Sequence, residues 1–146
     1  MAKEKRRERR IRVSLPIRIT YPDNPPIYTH IENISLLGTY VEIEQEIPLG
    51  VKLDITIEIP SYKNNPSLIG NVRCQGDVFR CNLVREVESK RLYGLGIFFT
   101  NFSEEEDRNK LSKYIDFLVL KEKEDIKQAM RIWREKRKRR QIQKRK

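Results

Sequence analysis

The sequence has little cysteine, little histidine and no long apolar run. It contains two cysteines, Cys74 and Cys81, and one histidine, His30, in 146 residues. Three such side chains, scattered along the chain, are too few for a convincing zinc site. No apolar run approaches the roughly eighteen residues of a membrane-spanning helix. The charged N-terminus lacks the apolar segment of a secretory signal, so we expect a cytoplasmic protein with reduced thiols.

The sequence also lacks the patterns that catalysis requires. A serine nucleophile needs a neighbouring base, and nothing in the sequence recommends His30 as the base for Ser35. The Asp and Glu residues show no spacing typical of an acid–base pair. We therefore expect a protein that is not an enzyme and holds no metal or cofactor. The single histidine is interpreted as a structural residue of a strand.

Positive charge is in excess, and it is concentrated at the two ends. The formal net charge is +10. Residues 1–12 carry seven Lys and Arg against two acids, and residues 121–146 carry thirteen against four, so residues 13–120 carry a net −4. A nucleic-acid-binding domain usually has its basic stripe on the folded body. This distribution weakens a nucleic-acid function but leaves it open through the basic ends.

Between the basic ends, short alternating runs separated by turn residues predict β-strands. The run 75–77, Gln-Gly-Asp, is predicted to be a turn between two of them. Six or seven strands without intervening helices are typical of a closed barrel or a sandwich, and we favour an antiparallel barrel. The predicted strands cover residues 11–19, 27–34, 39–43, 51–59, 67–74, 78–86 and 92–99.

After residue 103 the apolar period becomes helical. Ser103 and Glu106 have the spacing of a capping box. An apolar stripe follows at Leu111, Ile115, Leu118 and Val119, and again at Ile126, Ala129, Met130 and Trp133. We predict a helix to about residue 134 and then a frayed or disordered basic tail. The second part of the stripe predicts packing on the barrel or on a partner helix, with a homo-oligomer as one outcome.

Two short motifs become informative when they are taken together. The first is Arg-x-x-x-Arg at Arg6 and Arg10, and the second is Asn-x-Ser-x-x-Gly at Asn33, Ser35 and Gly38. Each is weak alone, since an arginine-rich arm yields the first by composition and a plain hairpin turn accounts for the second. In this order, the first before one strand and the second between two others, they resemble the PilZ domain, the bacterial receptor module for cyclic di-GMP.

The resemblance extends from about Lys5 to Leu118 and includes the segments 15–17, Leu-Pro-Ile, and 93–99, Tyr-Gly-Leu-Gly-Ile-Phe-Phe. It implies a PilZ-type barrel of six or seven antiparallel strands with a C-terminal α-helix and a basic tail. The expected organisation is a flexible arm at 1–12, the barrel and closing helix at 13–120, and a basic helical extension at 121–146. The implied function is nucleotide-binding signal transduction toward motility, exopolysaccharide or virulence machinery through a protein effector.

The resemblance also assigns roles to single residues. It gives Arg6 and Arg10 contacts with guanine or phosphate, Asn33 the other guanine edge, and Ser35 a phosphate or a nearby polar contact. Gly38 would allow a close backbone approach or a positive φ. A basic residue before the first motif arginine can favour a stacked pair of ligands in this family. The resemblance therefore leaves the ligand stoichiometry open, with either one ligand or a stacked pair. The further candidate contacts are Lys5, Arg7 and Arg9.

Two other functions stay open at this point. The first is a β-barrel that binds RNA or DNA through its basic ends, although its aromatic residues are too scattered for a stacking platform. The second is a PilZ domain that binds only proteins, against which the complete motif set argues. The basic tail also allows contact with an anionic membrane surface.

Overall fold

The computed structural model describes residues 10–60 and 70–144. Six strands precede one helix: β1 Ile11–Thr20, β2 Ile27–Ile34, β3 Gly38–Ile43, β4 Lys52–Ile59, β5 Gly70–Val87, β6 Lys90–Phe102 and α1 Glu105–Lys144. The chain divides into a first compact unit, residues 1–115, and a second, residues 116–146. In the described ranges no helix is both long and apolar enough to cross a membrane.

The six strands form a closed barrel in the order β1-β2-β3-β6-β5-β4, with β4 pairing back to β1. Every pair of neighbours is antiparallel. Strand β4 explains why the barrel closes around an apolar interior, because Leu53, Ile55, Ile57 and Ile59 are buried and alternate with more exposed polar residues. The predicted antiparallel barrel is confirmed.

The turn predicted at residues 75–77 is wrong, because β5 runs unbroken through it. The pairing of β5 with β6 shifts between Gln75 and Gly76, which marks an irregularity within the strand. A Cβ on Gly76 would lie 2.6 Å from the Ile97 Cγ2 atom and 2.9 Å from the Phe98 carbonyl oxygen. The glycine therefore marks a close approach between neighbouring strands rather than a reversal of the chain.

Helix α1 is capped one residue later than predicted. Glu104 precedes the first helical residue, and its backbone N–H donates to the Asp107 Oδ2 atom at 3.1 Å. The Asp107 Oδ1 atom accepts the Arg73 backbone N–H of β5 at 3.2 Å. Asp107 is buried. The predicted capping box of Ser103 and Glu106 is therefore wrong, and the carboxylate that caps the helix also attaches its first turn to the barrel.

The helix continues to Lys144, so the predicted end near residue 134 is also wrong. Residues 134–144 are mostly Lys, Arg, Gln and Glu, with no glycine or proline. These long unbranched side chains have high helix propensity, and their charge alone does not end a helix. The side chains of Ile126, Met130 and Trp133, which precede this segment in α1, are exposed.

Candidate functional site

The connection between β2 and β3 is a tight corner held by its own polar groups. The Ser35 backbone N–H donates to the Gly38 carbonyl oxygen at 2.9 Å. The buried Ser35 Oγ atom accepts the Leu37 backbone N–H at 3.1 Å. The Thr39 hydroxyl donates to the Asn33 carbonyl oxygen at 2.7 Å. These bonds fix the backbone on both sides of the corner, so Asn33 stands on a rigid support.

Gly38 is needed because β3 and β6 approach closely where the corner ends. It pairs with Phe98 of β6, and a Cβ at this position would lie 2.2 Å from the Ile97 carbonyl oxygen. Positive φ occurs at the glycines Gly50 and Gly70 but not at Gly38. Of the two reasons expected for this glycine, the close approach applies and the positive φ does not.

The last arginine of the first motif contacts the first residue of the second. The Arg10 Nη1 atom donates to the Asn33 Oδ1 atom at 3.2 Å, across 23 residues of sequence. Arg12, two residues further along the chain in β1, is the pairing partner of Asn33 on β2. The structure thus brings together Arg10 and the corner residues 33–38. The other candidate residues, Lys5, Arg6, Arg7 and Arg9, lie outside the described part of the chain.

An open groove of about 630 Å³ borders Asn33. Tyr40 of β3 is the pairing partner of Asn33, and Glu42 follows it on the same strand. Arg12, Tyr40 and Glu42 were not predicted from the sequence; the available signals were the spacing of Arg12 from Arg10 and the alternation of β3. The groove is lined by Arg12, Val13, Ser14, Ile31, Glu32, Asn33, Tyr40 and Glu42.

The groove offers both donors and acceptors. Desolvation by burial, and then the Glu42 carboxylate, raise the pKa of Tyr40, so its hydroxyl remains a hydrogen-bond donor at neutral pH. The Arg80 guanidinium carbon lies 5.8 Å from the centre of the Tyr40 ring. Glu42 forms an ion pair with Arg85 at 2.5 Å. Guanidinium groups suit phosphates and purine acceptor edges, whereas carboxylates suit purine N–H donors.

A second groove of about 360 Å³ lies on strands β1, β2, β4 and β5. It includes His30, which is exposed, together with Arg18, Tyr28 and Glu58. Within the ranges that the structure describes, no three His, Cys, Asp or Glu residues are grouped as metal ligands. Cys74 and Cys81 are free thiols.

The chain matches a known protein family. A family model described as the PilZ domain matches residues 4–117, which is most of the chain. No curated protein matches.

Several solved structures match the fold. The structure of YcgR from Escherichia coli in complex with c-di-GMP has a TM-score of 0.66 and 16% identity, with coverage of 86% of this chain and 50% of that one. The K. pneumonia MrkH–c-di-GMP complex has a TM-score of 0.65 and 17% identity, with coverage of 82% of this chain and 53% of that one. The Bacillus subtilis inhibitor of motility, MotI/DgrA, has a TM-score of 0.60 and 17% identity, with coverage of 80% of this chain and 53% of that one. The chain spans about half the length of these three structures, and the likeness is one of fold.

Proposed function

Since the chain belongs to the PilZ domain family, we propose that it is a receptor for cyclic di-GMP that acts by binding and not by catalysis. The observation that carries the proposal is the hydrogen bond from Arg10 to Asn33, because it joins the two motifs in one site. The groove beside that bond has room and mixed polarity suited to a guanine nucleotide. YcgR and MrkH, which share the fold, have structures in complex with this ligand.

In the proposed complex the arginines contact the groups that make cyclic di-GMP distinctive. A guanidinium can donate two hydrogen bonds to the O6 and N7 atoms of guanine, which is worth about 1–3 kcal/mol of discrimination against a wrong base. It can also stack on the purine or pair with a phosphate. Arg10 and Arg6 take these roles, with Lys5, Arg7 and Arg9 as further contacts to one ligand or to a stacked pair.

In this proposal Asn33 contacts the edge of guanine opposite the O6 and N7 atoms. Its carboxamide offers one acceptor oxygen, and in the described structure Arg10 donates to that oxygen. Ligand binding would therefore require Arg10 to exchange a contact with Asn33 for a contact with guanine or phosphate. Ser35 supports the corner through its bond to Leu37 and accepts or donates one further polar contact.

Ligand binding would order the basic arm against the barrel. Five arginines fall within residues 6–12, and their like charges oppose any compact arrangement. Two ligand phosphates neutralise part of that charge and favour one arrangement beside the corner. The entropy lost on ordering reduces the net affinity, so a micromolar dissociation constant, about −8 kcal/mol, requires several strong contacts at once. The ordered arm then becomes a surface that a downstream protein can recognise.

The domain organisation follows from the same proposal. The proposed arm is residues 1–12, and its last two residues, Ile11 and Arg12, are the first two of β1. Residues 13–120 form the remainder of the barrel with its closing helix, and residues 121–146 form a basic helical extension. The protein effector and the signalling output in motility, exopolysaccharide or virulence machinery belong to the proposal.

Calorimetric titration with cyclic di-GMP tests the proposed function, with GMP and cyclic di-AMP as controls. We expect a dissociation constant of about 1 μM or lower for cyclic di-GMP and at least a hundredfold weaker binding of both controls. Raising the salt concentration should weaken this binding less than it weakens binding to a nucleic acid, because base-edge contacts carry much of the specificity. Equal affinity for the two cyclic dinucleotides would contradict guanine recognition.

A further inference from the structure

The second compact unit carries an exposed apolar cluster on one side of its helix. Ile126, Met130 and Trp133 are 52%, 49% and 58% exposed. Their spacings of four and three residues place them on the same face of α1. Large apolar side chains that are grouped and exposed mark a surface that binds something.

The same face becomes cationic toward the C-terminus. Arg137 and Arg140 continue the spacing of four and three residues beyond Trp133. The Arg137 guanidinium carbon lies 5.4 Å from the centre of the Trp133 ring. Trp133, Lys136, Arg137 and Arg140 surround a recess of about 290 Å³. The recess is lined by one indole ring and three cationic side chains. Such a lining suits an anionic group at the boundary between water and an apolar phase.

The charge around this face is mostly positive. Residues 121–146 carry thirteen Lys and Arg against four acids. Between Ile126 and Arg140 the only acid is Glu135. Glu135 follows Ile126 by nine residues, two and a half helical turns, and so lies on the opposite side of the helix. The face formed by Ile126, Met130, Trp133, Arg137 and Arg140, here called the 126–140 face, therefore presents apolar and cationic groups without a carboxylate.

We propose that the 126–140 face lies on the surface of an anionic phospholipid bilayer. The apolar residues would enter the boundary between headgroups and acyl chains, and the arginines would contact lipid phosphates. This matches both parts of the face, since apolar burial and cationic attraction add at a membrane surface. The proposal does not depend on cyclic di-GMP, because the residues that carry it lie in the other compact unit.

Two other occupants match the face less well. A second copy of the helix would bring two segments of net charge +9 together and place Arg137 and Arg140 of both copies near one seam. Nucleic acid would satisfy the cations through its phosphates. Its backbone offers no apolar phase for Ile126 and Met130, so half of the face would stay in water.

The full chain offers a direct probe, because Trp133 is its only tryptophan. We propose to measure Trp133 fluorescence and co-sedimentation with vesicles of phosphatidylcholine alone and of phosphatidylcholine with 30% phosphatidylglycerol. We expect sedimentation, a blue-shifted emission and protection from iodide quenching only with the anionic vesicles. The partition coefficient should fall at least tenfold when the salt concentration rises from low to physiological.

A matched pair of double variants tests whether the face itself is responsible. Arg137→Glu with Arg140→Glu changes the 126–140 face, whereas Arg131→Glu with Lys138→Glu makes the same change of net charge elsewhere on the helix. Each basic residue at an anionic surface strengthens binding about fivefold. The first pair should therefore lower the partition coefficient by about twenty-five-fold or more, and the second by about fivefold or less. Circular dichroism checks that both variants keep the helix.

Four outcomes would overturn the proposal. The first is equal weakening by the two double variants, which would show binding by total charge alone. The second is sedimentation with vesicles without any change in Trp133 emission. The third is tighter binding to duplex DNA than to the anionic vesicles. The fourth is a blue-shifted emission without vesicles that follows dimer formation in analytical ultracentrifugation, which would assign the face to a second copy.

Discussion

At the scale of single residues, the site depends on Arg10 and Asn33. The Asn33 backbone is fixed by Thr39 and by the corner that follows it, whereas the exposed Arg10 stands just before β1. Their hydrogen bond therefore joins a rigid acceptor to a side chain that can turn toward a ligand. This arrangement suits the proposed receptor, because the corner is preorganised and only Arg10 and the arm before it would have to rearrange.

Replacing Arg10 tests its proposed contact with the ligand. Arg10→Ala should weaken cyclic di-GMP binding more than tenfold, because a charge-assisted contact to guanine or phosphate is lost. The thermal midpoint should change little, since the side chain is exposed. Calorimetry on this variant is compared with Arg18→Ala, which removes an exposed arginine of β1 that lines the second groove. Unchanged affinity of Arg10→Ala would remove this residue from the site.

A substitution at Asn33 is expected to strengthen ligand binding, in contrast to the loss expected for Arg10→Ala. Asn33→Asp should tighten cyclic di-GMP binding by about threefold to tenfold, because a carboxylate can accept from both the N1–H and the N2–H₂ groups of guanine. Asn33→Ala, measured in the same titration, should weaken binding at least tenfold. An aspartate variant that binds no better than the alanine variant would show that the residue does not accept from guanine.

The sequence predicted the two motifs but not the groove between them. Asn33, Ser35 and Gly38 have a recognisable spacing, and the corner that they form is held by hydrogen bonds within residues 33–39. Tyr40 is paired with Asn33 because the pairing of β2 with β3 shifts between Ile31 and Asn33. A register shift depends on contacts across strands, so a one-dimensional pattern does not contain it.

At the scale of elements, the start of α1 is attached to the barrel through one carboxylate. Asp107→Ala should lower the free energy of unfolding by about 2–4 kcal/mol, because the backbone N–H groups of Arg73 and Glu104 lose their acceptor. Glu106→Ala is the control, since Glu106 is exposed and should change stability by less than about 0.5 kcal/mol. Urea unfolding of both variants measures the difference. Equal midpoints would contradict the assignment of the cap.

Strand β5 buries a thiol whose ionisation should be visible in the pH dependence of stability. Burial, and to a smaller extent Asp107, raise the pKa of Cys74 to about 12. The unfolded chain loses this proton near pH 9, so the stabilisation is present below that pH. It should be lost between about pH 9 and 12, by up to about 1.4 kcal/mol per pH unit.

The comparison of two cysteine variants isolates this effect. Urea unfolding is followed from pH 8 to 11 for the wild type, Cys74→Ala and Cys81→Ala. The stability of Cys74→Ala should fall less steeply with pH than that of the wild type, whereas Cys81→Ala should follow the wild type. Parallel slopes for all three proteins would show that Cys74 does not ionise on unfolding in this range.

The elements themselves were largely predictable, and the failures share one physical origin, a residue type that is compatible with two structures. The alternation in β4 and the helical period after residue 103 both arise because one face of the element is buried. Burial on one face produces an apolar periodicity that is visible in the sequence. The turn predicted around Gly76 is wrong because a glycine permits both a turn and a close contact between strands. The helix end predicted near residue 134 is wrong because a basic segment is compatible with both a disordered tail and a helix, and lysine and arginine favour helices.

At the scale of the whole molecule, the two basic ends of the chain are proposed to bind two different partners. The barrel carries a mixed, slightly acidic surface with one groove beside the basic arm, and the helical extension carries the +9 segment. A single nonspecific polyanion partner would use both ends alike. The two proposals accordingly place a small cyclic dinucleotide at the arm and the barrel, and a lipid surface at the extension.

The central claim, that the arginine motif and the β2–β3 corner bind one ligand together, is tested most directly by mapping amide chemical shifts during a titration with cyclic di-GMP. We predict that the largest changes occur at Arg10, Arg12 and residues 33–40, with little change along β4. The opposite result, in which the largest changes occur at Arg18, Tyr28 and Glu58 in the second groove while the corner stays unperturbed, would contradict it.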